Sequence, residues 1–388
     1  MERWASIQVS VALGLLALGW GGVWAAVYDE GLYHHDVDGW AEKVTDWYPN
    51  RLPVAELFRG PSLWKGPIIP TLYHASYVVW PSVYSPIVFN VLGFGFAAFL
   101  LHRILVRAGL HPVAVTLGVA LWAVYPPFRY LYSMYFAEPV IAALSAILLG
   151  LVVHRPERAF VAGLCAGVLL LGRPPFLLVV ALIPPIQFAA GQRRRAIAFC
   201  LGAALTFLPW GIRNYVVTGV YVPFTVEGGQ TLFHGSYLPL DDVHWQTFKE
   251  DPEVAKLEKA APKEPVLRMK YLAGLAKEQV LADPLGQCVR SLRKAQRFWM
   301  EVDADTFVPI WKTGLAAAVL LPLAAVGAWR NRRVPVLRWM LVWIFGLWAM
   351  HAAVFGILRY SYPVFPLMTV LAAGAVWPAR QFIADRNA

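Results

Sequence analysis

"RNRRVPVLRWMLVWIFGLWAMHAAVFGILRYSYPVFPLMTVLAA", residues 330–373, sets a cluster of arginines before an apolar run over 336–357, then Arg359, then a second apolar run from 362. A helix needs about 20 mainly apolar residues to cross the hydrocarbon core of a bilayer. The stretch therefore reads as basic loop, span, arginine at the far side, span. The same ruler gives ten spans in all, near 8–27, 86–106, 112–127, 135–153, 159–172, 174–190, 196–212, 308–329, 336–357 and 362–379. The runs at 159–172 and 174–190 are joined only by "RPP" and could form a helical hairpin that does not fully cross. With 58% hydrophobic and 15% charged residues over 388, the chain is too apolar for a soluble protein. The expected fold class is an all-α integral membrane bundle of about ten helices, a single domain over 1–388.

The net charge of +10 is a topology signal. If the spans alternate, "HRILVRAG" (102–109), "HRPER" (154–158), "GQRRR" (191–195), "RNRR" (330–333) and the tail from Pro378 share one side, which the positive-inside rule makes cytoplasmic. That dispersal excludes a nucleic-acid patch, which needs its basic residues gathered on one exposed surface. The first run is about 20 residues, longer than the usual signal-peptide core of roughly 7 to 15, so a retained helix is expected. Cys165 and Cys200 lie in apolar runs and Cys288 in a polar segment, a pattern of small buried fillers rather than a disulfide framework.

Two longer segments fall on the opposite side, 28–85 and 213–309. The first is rich in Trp, Tyr and Pro, which suits short amphipathic helices at the headgroup level. The second has helical spacing with Leu, Val and Ala on one side and Lys, Glu and Arg on the other, as expected of a helix packed on the membrane surface. Its "VEGGQ" (226–230) reads as a turn.

Candidate chemistry gathers at these outer ends. "YDEGLYHHDVDGW" (28–40) places Asp36 and Asp38 just beyond the first span, where a carboxylate shielded by aromatics can act as base or ligand, or simply keep a loop soluble. His34, His35 and Asp36 could hold a divalent metal, although the spacing is not diagnostic. Glu138 opens the helix before Pro139, either as a plain dipole-favoured helix start or as a second carboxylate of the site. Arg129, Arg173, Arg213 and Arg359 recur at the outer ends of different spans. Each alone could snorkel to lipid phosphate, but together they suit a shared anion site, because a guanidinium fork matches phosphate oxygens in pairs. Trp40, His35, Lys65, Asn214 and Tyr360 complete the expected substrate pocket.

The order of these elements resembles a known family: the acidic motif after the first helix, then "LPWGIRNYVVTGVYVPFTVEGGQTLFHG" (208–235), then "RYSYPVFPLMTVLAA" (359–373). It is similar to the polyprenyl-phosphate-dependent glycosyltransferases of the GT-C fold, especially bacterial relatives of protein mannosyltransferases and of the lipid A aminoarabinose transferase. Asp36 and Trp40 match the family's Asp followed four residues later by an aromatic. The resemblance implies Asp36 as catalytic base with Asp38 as its rival, Glu138 as the acidic residue of the second outer loop, and Arg213 and Arg359 as phosphate-facing arginines. It further implies a polyprenyl-phosphate sugar donor, a glycan, glycolipid or protein acceptor, and a bacterial cytoplasmic membrane with the site on the periplasmic face. A polysaccharide polymerase or ligase, and a lipid or solute transporter, are the alternatives.

Overall fold

Helices follow the apolar runs. A computed structural model describes residues 2–27, 66–82, 84–132, 136–239, 251–300 and 310–379. Over these the chain is helical, in order α1 (Glu2–Val27), α2 (Ile68–Val79), α3 (Ser85–Arg107), α4 (Pro112–Val124), α5 (Glu138–His154), α6 (Ala159–Gly172), α7 (Leu177–Ala189), α8 (Arg193–Thr218), α9 (Glu227–Tyr237), α10 (Pro252–Ala260), α11 (Pro265–Ala282), α12 (Pro284–Met300), α13 (Ile310–Arg330), α14 (Val336–Ala353) and α15 (Phe365–Gly374). Proline stands in the first turn of α3, α4, α5, α10, α11 and α15, where its missing N–H costs nothing because no helical partner exists there.

Each of the ten apolar runs falls on one of these helices. Among the described residues, four helices are long and apolar enough to cross a membrane: α3, α8, α13 from Thr313, and α14. A fifth crossing arises if α5 and α6, bent by 117° across Pro156, count as one broken span. Helices of 10 to 17 residues, such as α4, α7 and α15, reach only about 15–25 Å at 1.5 Å per residue, short of a roughly 30 Å hydrocarbon core. The chain thus has the make-up of an all-α membrane protein. This bend lies one connection before the hairpin expected at "RPP", where a short turn, Pro174–Phe176, links α6 to α7.

Close helix packing rests on small residues. Gly163 of α6 faces the backbone at Phe199 of α8, and Gly202 of α8 faces that at Phe160, so a Cβ at either position would strike a carbonyl oxygen. Small residues on both helices let the backbones touch, the usual device where lipid removes the hydrophobic drive for helix association. Polar bonds pin other pairs: Trp343 Nε1 of α14 donates to Ser145 Oγ of α5 at 2.9 Å, and Thr369 Oγ1 of α15 donates to the Gly118 carbonyl of α4 at 2.8 Å.

The extramembrane helices correct two sequence readings. α12 is amphipathic, but three of its four basic residues, Arg290, Lys294 and Arg297, are buried while Arg293 is exposed and Leu285 and Leu292 are 80% and 72% exposed. The cations turn inward because backbone carbonyls receive them: Arg290 Nε donates to Leu238, and Lys294 Nζ to Ala353 and Val354. Burial and the nearby Arg290 push the Lys294 ammonium down to about 8. The cysteines also differ from expectation, since Cys200 and Cys288 are exposed and only Cys165 is half-buried.

Candidate functional site

Three residues far apart in the chain meet at one end of the bundle. Glu138 opens α5, Arg173 follows α6, and Arg359 lies in the Leu358–Ser361 turn between α14 and α15. Because α5 and α6 fold back on each other, the start of one reaches the end of the other. Arg173 Nη2 donates to Glu138 Oε1 at 2.8 Å, and Arg359 Nε stands 3.5 Å from the same oxygen. Glu138 is 2% exposed and Arg359 5%. Among the described residues one carboxylate meets two guanidiniums, in a setting dry enough that charge interactions are far stronger than in water.

Aromatic rings fix the cations. Arg359 lies over Phe136 at 4.4 Å and Arg173 over Tyr360 at 4.7 Å, within the reach of cation–π attraction. His351 stacks on the Tyr360 ring at 4.6 Å, and Phe298 stacks on His351 at 5.5 Å. Phe136 is itself held from behind: the Tyr73 hydroxyl and the Asn90 side-chain amide both donate to its carbonyl, at 3.0 and 2.9 Å. The segment entering α5 is therefore clamped by α2 and α3, which sets where Glu138 points.

Beside the cluster lies a cavity of about 250 Å³. Arg173 and Tyr360 line it, with His351 and Phe355 from the end of α14 and beyond, and Glu227 and Thr231 from α9. His351 Nδ1 donates to the Phe355 carbonyl at 2.8 Å, since a carbonyl can only accept, and this leaves Nε2 as an acceptor. A second, separate space of about 660 Å³ lies between α7 and α14, lined by Leu178, Leu182, Leu341, Val342, Phe345 and Ala349. Arg332 and Arg338 also line it, toward the start of α14.

The loop before α9 is stapled to α8. Trp210 Nε1 donates to the Phe224 carbonyl and Asn214 Nδ2 to the Val222 carbonyl, both at 2.7 Å. Asn214, expected in the pocket, is fully buried and positions this loop instead. Arg213 donates to Asn214 Oδ1 at 3.0 Å and lies over Trp210 at 4.9 Å; it is not among the described residues lining the cavity. "VEGGQ" is not a turn. Glu227 begins α9, and Gly229 is required there because its backbone packs against Met269 of α11, where a Cβ would strike a carbonyl. Along the same helix, Gln230 and His234 hold Glu258, which also accepts from Arg268 at 3.1 Å. His234 first, and then Arg268, hold the Glu258 carboxyl below its ordinary value.

Of the sequence candidates, the structure thus joins Glu138, Arg173, Arg359 and Tyr360. Asp36, Asp38, Trp40, His34, His35 and Lys65 lie outside the described residues, as does the side chain of Arg129. Among the described residues no group of three or more His, Cys, Asp or Glu side chains is arranged to hold a metal ion. Sequence reasoning missed Glu227 and His351. The first was hidden by the glycines beside it, and the second by the apolar run around it, which gives a lone histidine no signal. Comparison with protein-family models, with curated proteins and with solved structures gives no match for this chain.

Proposed function

We propose that the protein is a membrane glycosyltransferase that moves a sugar from a polyprenyl-phosphate donor to a hydroxyl acceptor on the non-cytoplasmic face of a bacterial cytoplasmic membrane. The observation that carries this reading is the Arg173–Glu138–Arg359 cluster, with Arg173 on the wall of a cavity, in a bundle that also holds a separate apolar groove between α7 and α14. A phosphate needs cations, and a prenyl chain needs a lipid-side groove. The groove follows α14 from Leu337 to Ala349, about 18 Å at 1.5 Å per residue, enough for several isoprene units.

In this reaction the acceptor oxygen attacks the anomeric carbon, the bond from that carbon to the phosphate oxygen breaks, and the acceptor proton passes to a carboxylate, assigned to Asp36 by the family resemblance. Polyprenyl phosphate leaves as a stable anion, so a cationic clamp serves in place of a strong acid. Arg173 and Arg359 form that clamp. Glu138 touches both and is a positioning residue: held by two arginines, it aims them and balances part of their charge. A single displacement inverts the anomeric centre. A transporter reading is less favoured, because the described charged residues gather at helix ends.

The test is reconstitution of the full chain in vesicles with a panel of polyprenyl-phosphate sugars, comparing the parent with Asp36→Asn and reading the anomeric configuration of the product. Transfer with inversion, lost in the Asn variant, is the expected result. Transfer with retention would defeat the single-displacement mechanism, and full activity of the Asn variant would remove Asp36 from the base role.

A further inference from the structure

We infer that the groove between α7 and α14 is a site for one phospholipid with an anionic head, held by Arg332 and Arg338 on the side of the basic loops, cytoplasmic by the positive-inside rule. Among the described residues that line the groove, only these two arginines carry polar side chains; the rest are apolar or glycine. Such a wall offers water nothing to bond, so in a bilayer a hydrocarbon chain fills it. From Leu337 to Ala349 the groove runs about 18 Å at 1.5 Å per residue, against about 15 Å for one leaflet of a roughly 30 Å core. That is the reach of a chain anchored at one face.

The charged end of the groove has support of its own. Both arginines are exposed, and no carboxylate among the described residues pairs with either. Arg332 lies over the Trp329 ring at 4.6 Å and Arg338 over the Trp339 ring at 5.1 Å, so an indole backs each cation. Arg332 donates one bond to the Trp329 carbonyl at 3.0 Å, which leaves other N–H groups of its fork for an outside acceptor. Asn331 fixes the turn that carries Arg332: its Nδ2 donates to the Gly327 carbonyl and its Oδ1 accepts from the Ala379 amide, both at 2.7 Å. A basic pocket between spanning helices on the cytoplasmic side suits an anionic headgroup, because the cations and the chain slot act together. Arg332 and Arg338 flank the start of α14, whereas Arg359 of the cluster follows its end. The site is therefore independent of the donor reading; a prenyl chain arriving from the cluster would share only the apolar length of the groove.

The test measures retention of phosphatidylglycerol and phosphatidylcholine with identical acyl chains by the full chain in detergent, read by native mass spectrometry. Both lipids carry a phosphate, but the choline cation cancels its charge. The parent should hold phosphatidylglycerol about 30-fold more strongly, from about 5-fold for each of two arginines near the surface. Changing both, Arg332→Gln with Arg338→Gln, should bring the two lipids level. Arg333→Gln, on the same turn but not lining the groove, should leave the preference unchanged. Val342→Trp should fill the groove and weaken both lipids. Equal retention of the two lipids by the parent, the same loss from Arg333→Gln as from the paired change, or undiminished retention in Val342→Trp would overturn the site.

Discussion

Glu138 shows how a buried ion pair can serve a site while contributing little to stability by itself. Removing two charges from water costs several kcal/mol per ion, which the mutual attraction only roughly repays. Breaking such a pair is different, because the remaining charge stays buried. Glu138→Gln leaves Arg173 and Arg359 facing each other without the carboxylate, and should destabilise the folded protein by about 3–5 kcal/mol, read as a lowered unfolding temperature in detergent. Arg359→Met, which leaves the Glu138–Arg173 bond at 2.8 Å in place, should cost less.

Lys294 gives a second residue-scale outcome. Its folded value is pushed down to about 8 from an ordinary 10.5, so between those two pH values the unfolded chain binds the extra proton. Stability contributed by this group therefore rises as pH increases from about 8 to about 10.5, and the burial penalty is fully present below 8. Unfolding measured across that window should show the upward trend in the parent, and Lys294→Met should remove it. An identical pH profile in both proteins would mean that the amine is not held in the dry setting given by its bonds to Ala353 and Val354.

At the scale of elements, helix ends carried readable signals and helix faces did not. Glu138 and Arg173 were legible because each sits beside a proline that marks a boundary, and charge at a boundary of an apolar run stands out. Their pairing was not legible, since it depends on the 117° reversal between α5 and α6. α12 carried an amphipathic pattern whose direction was misread: cations normally face water, but here carbonyls at the ends of neighbouring elements take them inside. Its apolar face is then free to meet lipid. A polarity-sensitive fluorophore on Leu292→Cys, in a chain lacking its native cysteines, should report an apolar setting in vesicles, while the same label on Lys256→Cys of α10 should report water. The α6–α8 contact is a further check. Gly163→Val forces the helices apart and should cost about 1–3 kcal/mol, the usual penalty for overpacking.

For the whole molecule, the apolar runs determined helix positions well, because ten stretches with at most one charge each leave few other ways to satisfy backbone groups in lipid. Which of those helices cross unaided was less legible, since hydropathy marks a run but not how much of it stays helical, as where the run 362–379 yields only the helix Phe365–Gly374. The site was half legible. Residue types at helix ends pointed to an anion, but the cavity wall from α9 depended on a loop stapled by Trp210 and Asn214, a tertiary fact with no local signature. The topology makes its own prediction: in intact cells a membrane-impermeant maleimide should label Lys259→Cys on α10 and leave Arg333→Cys, between α13 and α14, unlabelled until the membrane is opened.

The central claim is that Arg173 and Arg359 hold a lipid phosphate while a sugar leaves it. Its most direct measurement is the rate at which the reconstituted full chain releases polyprenyl phosphate from a polyprenyl-phosphate hexose in the presence of acceptor, for the parent and for Arg173→Ala. Release by the parent, falling about 10²- to 10³-fold in Arg173→Ala as expected for loss of one group that stabilises developing charge, is the predicted result. No release by the parent with any donor sugar, or release that Arg173→Ala leaves unchanged, would contradict it.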